Sequence, residues 1–285
     1  MGSIKLNDYQ VFEKVRPSLG GGLLTAVRLS LSPVLISPIK EEAEILVVQC
    51  QVNKMKIRII NGYGPQDDEQ LSTRLEFWSA LEQEIISAKD SNCCVIIQLD
   101  ANAKVGNSVI SLDPNQTSEN GKLLLNLVER ENMSILNCSP LCKGSITRQR
   151  VTKKHVEKSI LDYMITCDKL NKFLEVMVID EAQTFSLMKY ASTKGIRKIV
   201  KSDHNIMFSA FYISYQNVMY KKPRRELYNL KNKECQEIFS EVSECNLKLQ
   251  KCFNAKKPFS RQCQTFVKTL DGTPSKFPKS YGRKN

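Results

Sequence analysis

The chain has 285 residues, 41% hydrophobic and 25% charged, with a formal net charge of +12. These values fit a soluble globular domain with an appendage. No apolar run approaches the ~18 residues that span a bilayer, and the opening Met1-Gly2-Ser3-Ile4-Lys5-Leu6 lacks an apolar signal core, so no membrane association is expected and an intracellular place, nuclear or cytoplasmic, is.

In chain order, Gly20-Gly21-Gly22 leads into a strand over 23–29. The triplet lacks the Lys-Ser/Thr ending of a P-loop and the spacing of a dinucleotide fingerprint, so it reads as a turn. The Ile- and Val-rich stretches 44–52 and 56–61 are expected to pair as a hairpin near Met55. A long helix is expected over 67–89, where Leu71, Leu75, Trp78, Leu81 and Ile85 recur at three- and four-residue steps. Pro65, Asp67 and Asp68 suit its start, since acids complement the helix dipole. Residues 94–99 form a short continuous apolar strand, the pattern of two-sided burial. A polar loop leads to a second helix over 119–131, with Leu124, Leu127 and Val128 inward, and a strand over 133–136.

Residues 145–150 and 159–166 read as a strand pair, and 195–200 and 205–213 as further strands. Cys50, Cys93, Cys94 and Cys167 lie in apolar runs, where a reduced thiol packs as a small hydrophobe. Cys138 and Cys142 make a lone CxxxC, and zinc sites show tighter, matched pairs. Beyond Tyr215 the pattern changes. Lys221-Lys222-Pro223-Arg224-Arg225 precedes a charged helical segment over 226–253, and 248–285 holds ten Lys and Arg against one acid, Asp271. Such a tail attracts polyanions by neutralising phosphates and releasing counterions. Few helices among many strands imply two sheets packed face to face with helices outside.

Four polar clusters interrupt or end these apolar runs. Tyr63 lies in Asn61-Gly62-Tyr63-Gly64-Pro65, just after a strand, where a phenol can donate to a phosphate. Asp100 and Asn102 come after the 94–99 strand two residues apart, hence on one face of an extended chain. The carboxylate can align or deprotonate water, and the amide can donate to a phosphate oxygen. Asp162 sits within an apolar run and is the natural partner to orient a histidine. Ser202-Asp203-His204 precedes the last apolar strand, and His204 is one of only two histidines. Asp203 offers a hard oxygen ligand of the kind magnesium takes. Together these groups suit metal-assisted phosphodiester cleavage.

In this order, Asn61-x-Tyr63-x-Pro65, Asp100-x-Asn102, Asp162-Tyr163 and Ser202-Asp203-His204 resemble the endonuclease/exonuclease/phosphatase superfamily, and in character the endonuclease domains of non-LTR retrotransposons. The Arg225-Glu226-Leu227-Tyr228-Asn229-Leu230 segment is similar to the stretch C-terminal to that domain in retrotransposon proteins. The resemblance implies an α/β (α+β) fold, a four-layer αββα sandwich over residues 6–215, incomplete at the N-terminus, with a helical, partly disordered basic extension over 216–285. It implies a metal-dependent phosphodiester hydrolase, a DNA endonuclease leaving a 5′-phosphate and a 3′-hydroxyl. Asp203 would ligate Mg2+ or Mn2+, and His204, oriented by Asp162, would act on the scissile phosphate. Asp100 and Asn102 would position or activate water and phosphate, and Tyr63 would contact the phosphate. DNA, or RNA, would be the partner, bound through the basic surface and tail.

Two departures stand out. Leu99 replaces the glycine that usually precedes Asp100, and neither the family's Asn-bearing strand nor its metal-Glu strand is found before Gly20. A truncated domain with weak metal binding and doubtful activity is therefore expected. The alternatives are a non-catalytic nucleic-acid-binding remnant and a phosphatase on a non-nucleic-acid phosphoester.

Overall fold

The apolar runs between 45 and 63 fold back on each other as a hairpin, and the rest of the architecture grows from it. The computed structural model describes residues 7–16, 22–152, 155–184, 188–193, 196–213 and 265–267. The first strands are β1 (Tyr9–Val15), β2 (Gly22–Arg28), β3 (Val34–Ile36), β4 (Ile45–Val52) and β5 (Met55–Tyr63). Then come α1 (Leu71–Asp90), β6 (Cys94–Asp100), α2 (Glu119–Arg130), β7 (Met133–Ile135) and β8 (Cys142–Lys143). A third group is β9 (Arg148–Val151), β10 (Val156–Ser159), β11 (Asp162–Cys167), α3 (Asp168–Asn171) and β12 (Leu174–Ile179). The remaining strands are β13 (Met188–Thr193), β14 (Ile196–Lys201), β15 (Met207–Phe211) and β16 (Thr265–Val267).

A six-stranded sheet in the order β3-β4-β5-β6-β11-β7 is the spine. β4 and β5 pair from Val52↔Met55 outward, around Asn53, whose φ of 57° lies in the left-handed region that Asn tolerates. β5 and β6 are parallel, and α1 supplies the crossover that parallel pairing requires. Their apolar runs are continuous because both faces are covered. On one face Ile60, Val95, Ile97 and Leu99 pack against Phe77, Trp78, Leu81 and Ile85 of α1 and Leu124 and Leu127 of α2. On the other face Ile57, Ile59 and Ile96 meet Phe12, Leu23 and Val27 of the β1–β2 pair. Met164 on that face meets Leu174, Met177 and Ile179 of β12. The second layer consists of the sheets β1-β2-β16 and β15-β12-β8. The result is the layered α/β sandwich expected, in which helices, a central sheet and a second sheet layer succeed one another.

Several local expectations change. α1 begins at Leu71, and Leu71 and Leu75 are exposed. The buried stripe is Phe77, Trp78, Leu81, Ile85 and Ala88, so the core contact starts at the second turn of α1. Asp67 serves α2 instead, accepting from the Asn120 N–H at 2.9 Å, while Ser118 caps that helix through Gly121 N–H at 3.1 Å. The expected pairing of 145–150 with 159–166 is replaced by a short β9–β10 ribbon, and β11 enters the main sheet between β6 and β7. Tyr163 and Ile165 are buried against the helices and Met164 against the second layer, so this run needs cover on both faces, which a two-stranded ribbon does not offer. Strands β1 and β12 occupy stretches where none was expected. The helical segment over 226–253 and most of the basic tail lie outside the described residues. Among the described residues no helix is long and apolar enough to cross a membrane.

Candidate active site

Strand register brings the first three clusters together. Tyr63 of β5 is the Cα partner of Asp100 of β6, and Asp100 is the partner of Asp162 of β11. Residues opposite one another in a sheet project on the same face. Tyr63, Asp100 and Asp162 therefore form one lateral row, on the face turned toward the second sheet layer. All three are half-buried.

The fourth cluster arrives from the other layer. His204 Nδ1 lies 3.0 and 3.1 Å from the two carboxylate oxygens of Asp162. Its main-chain N–H donates to Ser202 Oγ at 3.2 Å. The segment 145–149 fastens both partners. Thr147, fully buried, accepts through Oγ1 from the N–H groups of Leu161 (2.9 Å) and Asp162 (3.1 Å). Its carbonyl accepts from Asn205 N–H at 2.6 Å. Asn205, also buried, donates its side-chain amide to the Ile146 carbonyl at 2.7 Å.

The loop after β6 is fixed equally closely. Gly64 N–H donates to the Asp100 carbonyl at 2.7 Å, and Asn102 Nδ2 donates to the Gly64 carbonyl at 2.8 Å. Asn102 takes φ 45° and turns its own N–H back to Asp100 Oδ1 at 3.3 Å. A Cβ on Gly64 would meet the Ala101 carbonyl oxygen at 2.6 Å, so only glycine fits here. Tyr63 carries the Arg16 guanidinium 4.7 Å from its ring centroid, and Arg16 also forks onto Glu44. The Asp203 carboxylate holds Arg148, Oδ2 to Nε 3.1 Å.

Electrostatics separate the two central groups. Burial, reinforced by the Asp162 charge, pushes the Asp100 carboxyl up to about 7, against the pull of His204 and Arg148. Burial works against the charged His204 imidazole, but the hydrogen bond to Asp162 and the charges of Asp162, Asp100 and Asp203 prevail and raise it to about 9. At neutral pH the pair is thus a cationic imidazole beside a carboxyl near its midpoint, an arrangement able to give and take protons.

Asp100, Asp162 and His204 each bring a ligand atom within 4.8 Å of the others and could hold a metal ion. Asp100 and Asp162 face one another on neighbouring strands and supply the hard oxygen donors that a divalent ion takes. The donor set therefore fits a divalent ion. Thr147 and Arg148 were not legible as site residues, because their role depends on a bridge to a segment more than fifty positions away.

A family model described as endonuclease-reverse transcriptase matches residues 57–208. Among solved structures, the endonuclease domain of TRAS1, a telomere-specific non-LTR retrotransposon, is 16% identical, with 74% of this chain and 83% of that chain covered and a TM-score of 0.55. The 3′-5′ exonuclease NExo from Neisseria meningitidis is 12% identical over 72% of this chain and 80% of that chain, TM-score 0.51. An AP endonuclease from Archaeoglobus fulgidus is 13% identical over 72% and 80%, TM-score 0.50. At such identities these likenesses speak of fold. The comparison with curated proteins finds no match. The family match spans more than half of the chain and includes Tyr63, Asp100, Asn102, Asp162, Asp203 and His204, and on it the chain belongs to the endonuclease-reverse transcriptase family of the endonuclease/exonuclease/phosphatase fold.

Proposed function

We propose that the chain is a phosphodiester hydrolase that nicks DNA with the help of Mg2+ or Mn2+. The observation that carries this reading is the two-oxygen contact of Asp162 with His204 Nδ1, made directly beside Asp100. Asp162 fixes the imidazole and leaves Nε2 to face substrate. A divalent ion held by Asp100 and Asp162 would neutralise phosphate charge, while the Asp203 carboxylate is engaged by Arg148. In this reading water attacks phosphorus as Asp100 takes its proton, the bond from phosphorus to the 3′-oxygen breaks, and His204 donates to the leaving oxygen. Products are a 5′-phosphate and a 3′-hydroxyl. Tyr63 donates to a phosphate oxygen, and Asn102 holds Asp100 and the loop in place. The structure of the 3′ phosphatase NExo from Neisseria bound to a product DNA hairpin, of the same fold, supports DNA as the substrate class.

The test is nicking of supercoiled plasmid. Mg2+ or Mn2+ should convert it to open circles, chelator should stop the conversion, and His204→Ala should slow it ~10²- to 10⁴-fold, the range for losing a general acid or base. Salt-sensitive DNA binding with no cation-dependent nicking would replace this reading with a non-catalytic nucleic-acid-binding one.

A further inference from the structure

One cation that belongs to none of the sequence clusters stands against the site. Arg148, the first residue of β9, forms an isolated antiparallel bridge with His204. Bridge partners leave the backbone on the same face, with Cβ atoms ~4.5–5.5 Å apart. The side chains of Arg148 and His204 therefore rise side by side. Contacts on either side hold this register: Gln149 N–H donates to the Asp203 carbonyl at 2.7 Å, and Asn205 N–H to the Thr147 carbonyl at 2.6 Å.

The guanidinium is anchored at one corner. Arg148 Nε donates to Asp203 Oδ2 at 3.1 Å, and the two side chains retain 27% and 21% exposure. Among the described residues, the terminal nitrogens of Arg148 make no further hydrogen bond. Arg58 shows what a purely internal arginine does in this fold. It is 4% exposed and spends both terminal nitrogens on Ser87, Gln49 and Ser91. Arg148, by contrast, keeps 27% of its side chain exposed and engages Nε alone among the described residues. A guanidinium held through Nε presents two parallel donors whose spacing matches a phosphate, and the anchor reduces the freedom lost on binding.

We propose that Arg148 is a further substrate-contacting residue, whose terminal nitrogens bind the nucleic-acid phosphate presented to His204, with Asp203 as the residue that positions it. The assignment rests on the phosphodiester reading above and adds a specific ligand for the anionic substrate.

The experiment is binding of a fluorescein-labelled DNA duplex in chelator, monitored by anisotropy over a salt series, together with cleavage in Mg2+. Each phosphate contact contributes about 0.9 to the slope of log affinity against log salt. Arg148→Gln should therefore lower the slope by about 0.9 and weaken binding alike for all duplex sequences. Arg148→Lys, which keeps the charge but loses the fork, should keep the slope. Cleavage should fall ~10²-fold in Arg148→Gln, the usual cost of one transition-state donor, and by less in Arg148→Lys. Asp203→Asn provides a second variant, with the slope retained and cleavage reduced. An unchanged slope in Arg148→Gln overturns the assignment, and if the wild type still nicks plasmid the hydrolase reading survives. A slope lowered as expected in a chain that never cleaves leaves Arg148 as a phosphate ligand and removes the hydrolase. A wild-type chain that binds no duplex overturns both.

Discussion

His204 sits among three carboxylates, Asp162, Asp100 and Asp203, and their field makes its proton hard to remove. This links the site to stability. A histidine raised to about 9 in the folded chain binds more protons there than in the unfolded chain, where it titrates near its ordinary value of about 6.5. The stabilisation is complete below about 6.5 and is lost as pH rises through about 9. Asp100, raised to about 7, acts in the same direction from about pH 4 upward. In chelator, urea-unfolding stability should fall steadily between pH 6.5 and 9, and His204→Gln should flatten that part of the curve. A flat wild-type profile would mean that Asp162 does not hold the charged imidazole. The identities of Tyr63, Asp100, Asp162 and His204 were legible because each ends or interrupts an apolar run, where a polar side chain needs a reason. Their lateral row was not, since it depends on how three strands are aligned.

At the scale of elements, α1 shows how periodicity can mark a helix and most of its buried face, through Trp78, Leu81 and Ile85, yet extend that face too far toward the N-terminus. Leu71, Leu75 and Trp78 keep helical spacing, but only Trp78 reaches the core. The real stripe uses Phe77 and Ala88, and small residues such as Ala80 mark close contact with the sheet without announcing it. Leu81→Ala, at a fully buried position, should destabilise the protein by ~2–5 kcal/mol, the range for core truncations. Leu71→Ala, at 57% exposure, should cost no more than ~0.5 kcal/mol, as is usual on surfaces. Denaturant midpoints for the two variants check the phase of the helix, and equal losses would contradict it. The hairpin β4–β5 and the strand β6 were readable because composition and turn residues agree with their tertiary place. The partner of β11 was not, because an apolar strand states that it is buried and leaves open which neighbour buries it.

For the molecule as a whole, order should decrease from the middle of the main sheet outward. β5 and β6 are paired on both edges and covered on both faces, while β3 and β7 are the sheet's borders. The β9–β10 ribbon ends on Val151 at 80% exposure and Val156 at 49%. Amide hydrogen exchange should therefore be slowest in β5 and β6, opening only with global unfolding, and faster in β3 and in the ribbon. Uniform protection across all of them would contradict the layering. The two-sheet architecture itself was accessible from counting strands and helices, because apolar faces must be covered and few layer arrangements do so.

The alignment of Tyr63 beside Asp100 and of Asp100 beside Asp162 makes the active centre a gauge of correct assembly. If β6 slid by a single position, its alternation would carry the Asp100 carboxylate to the helix side and swing Leu99 into its place beside Tyr63 and Asp162. Such a molecule would remain compact, yet be chemically silent. On the hydrolase reading, turnover per milligram would report the share of chains whose strands have settled in the one alignment that works.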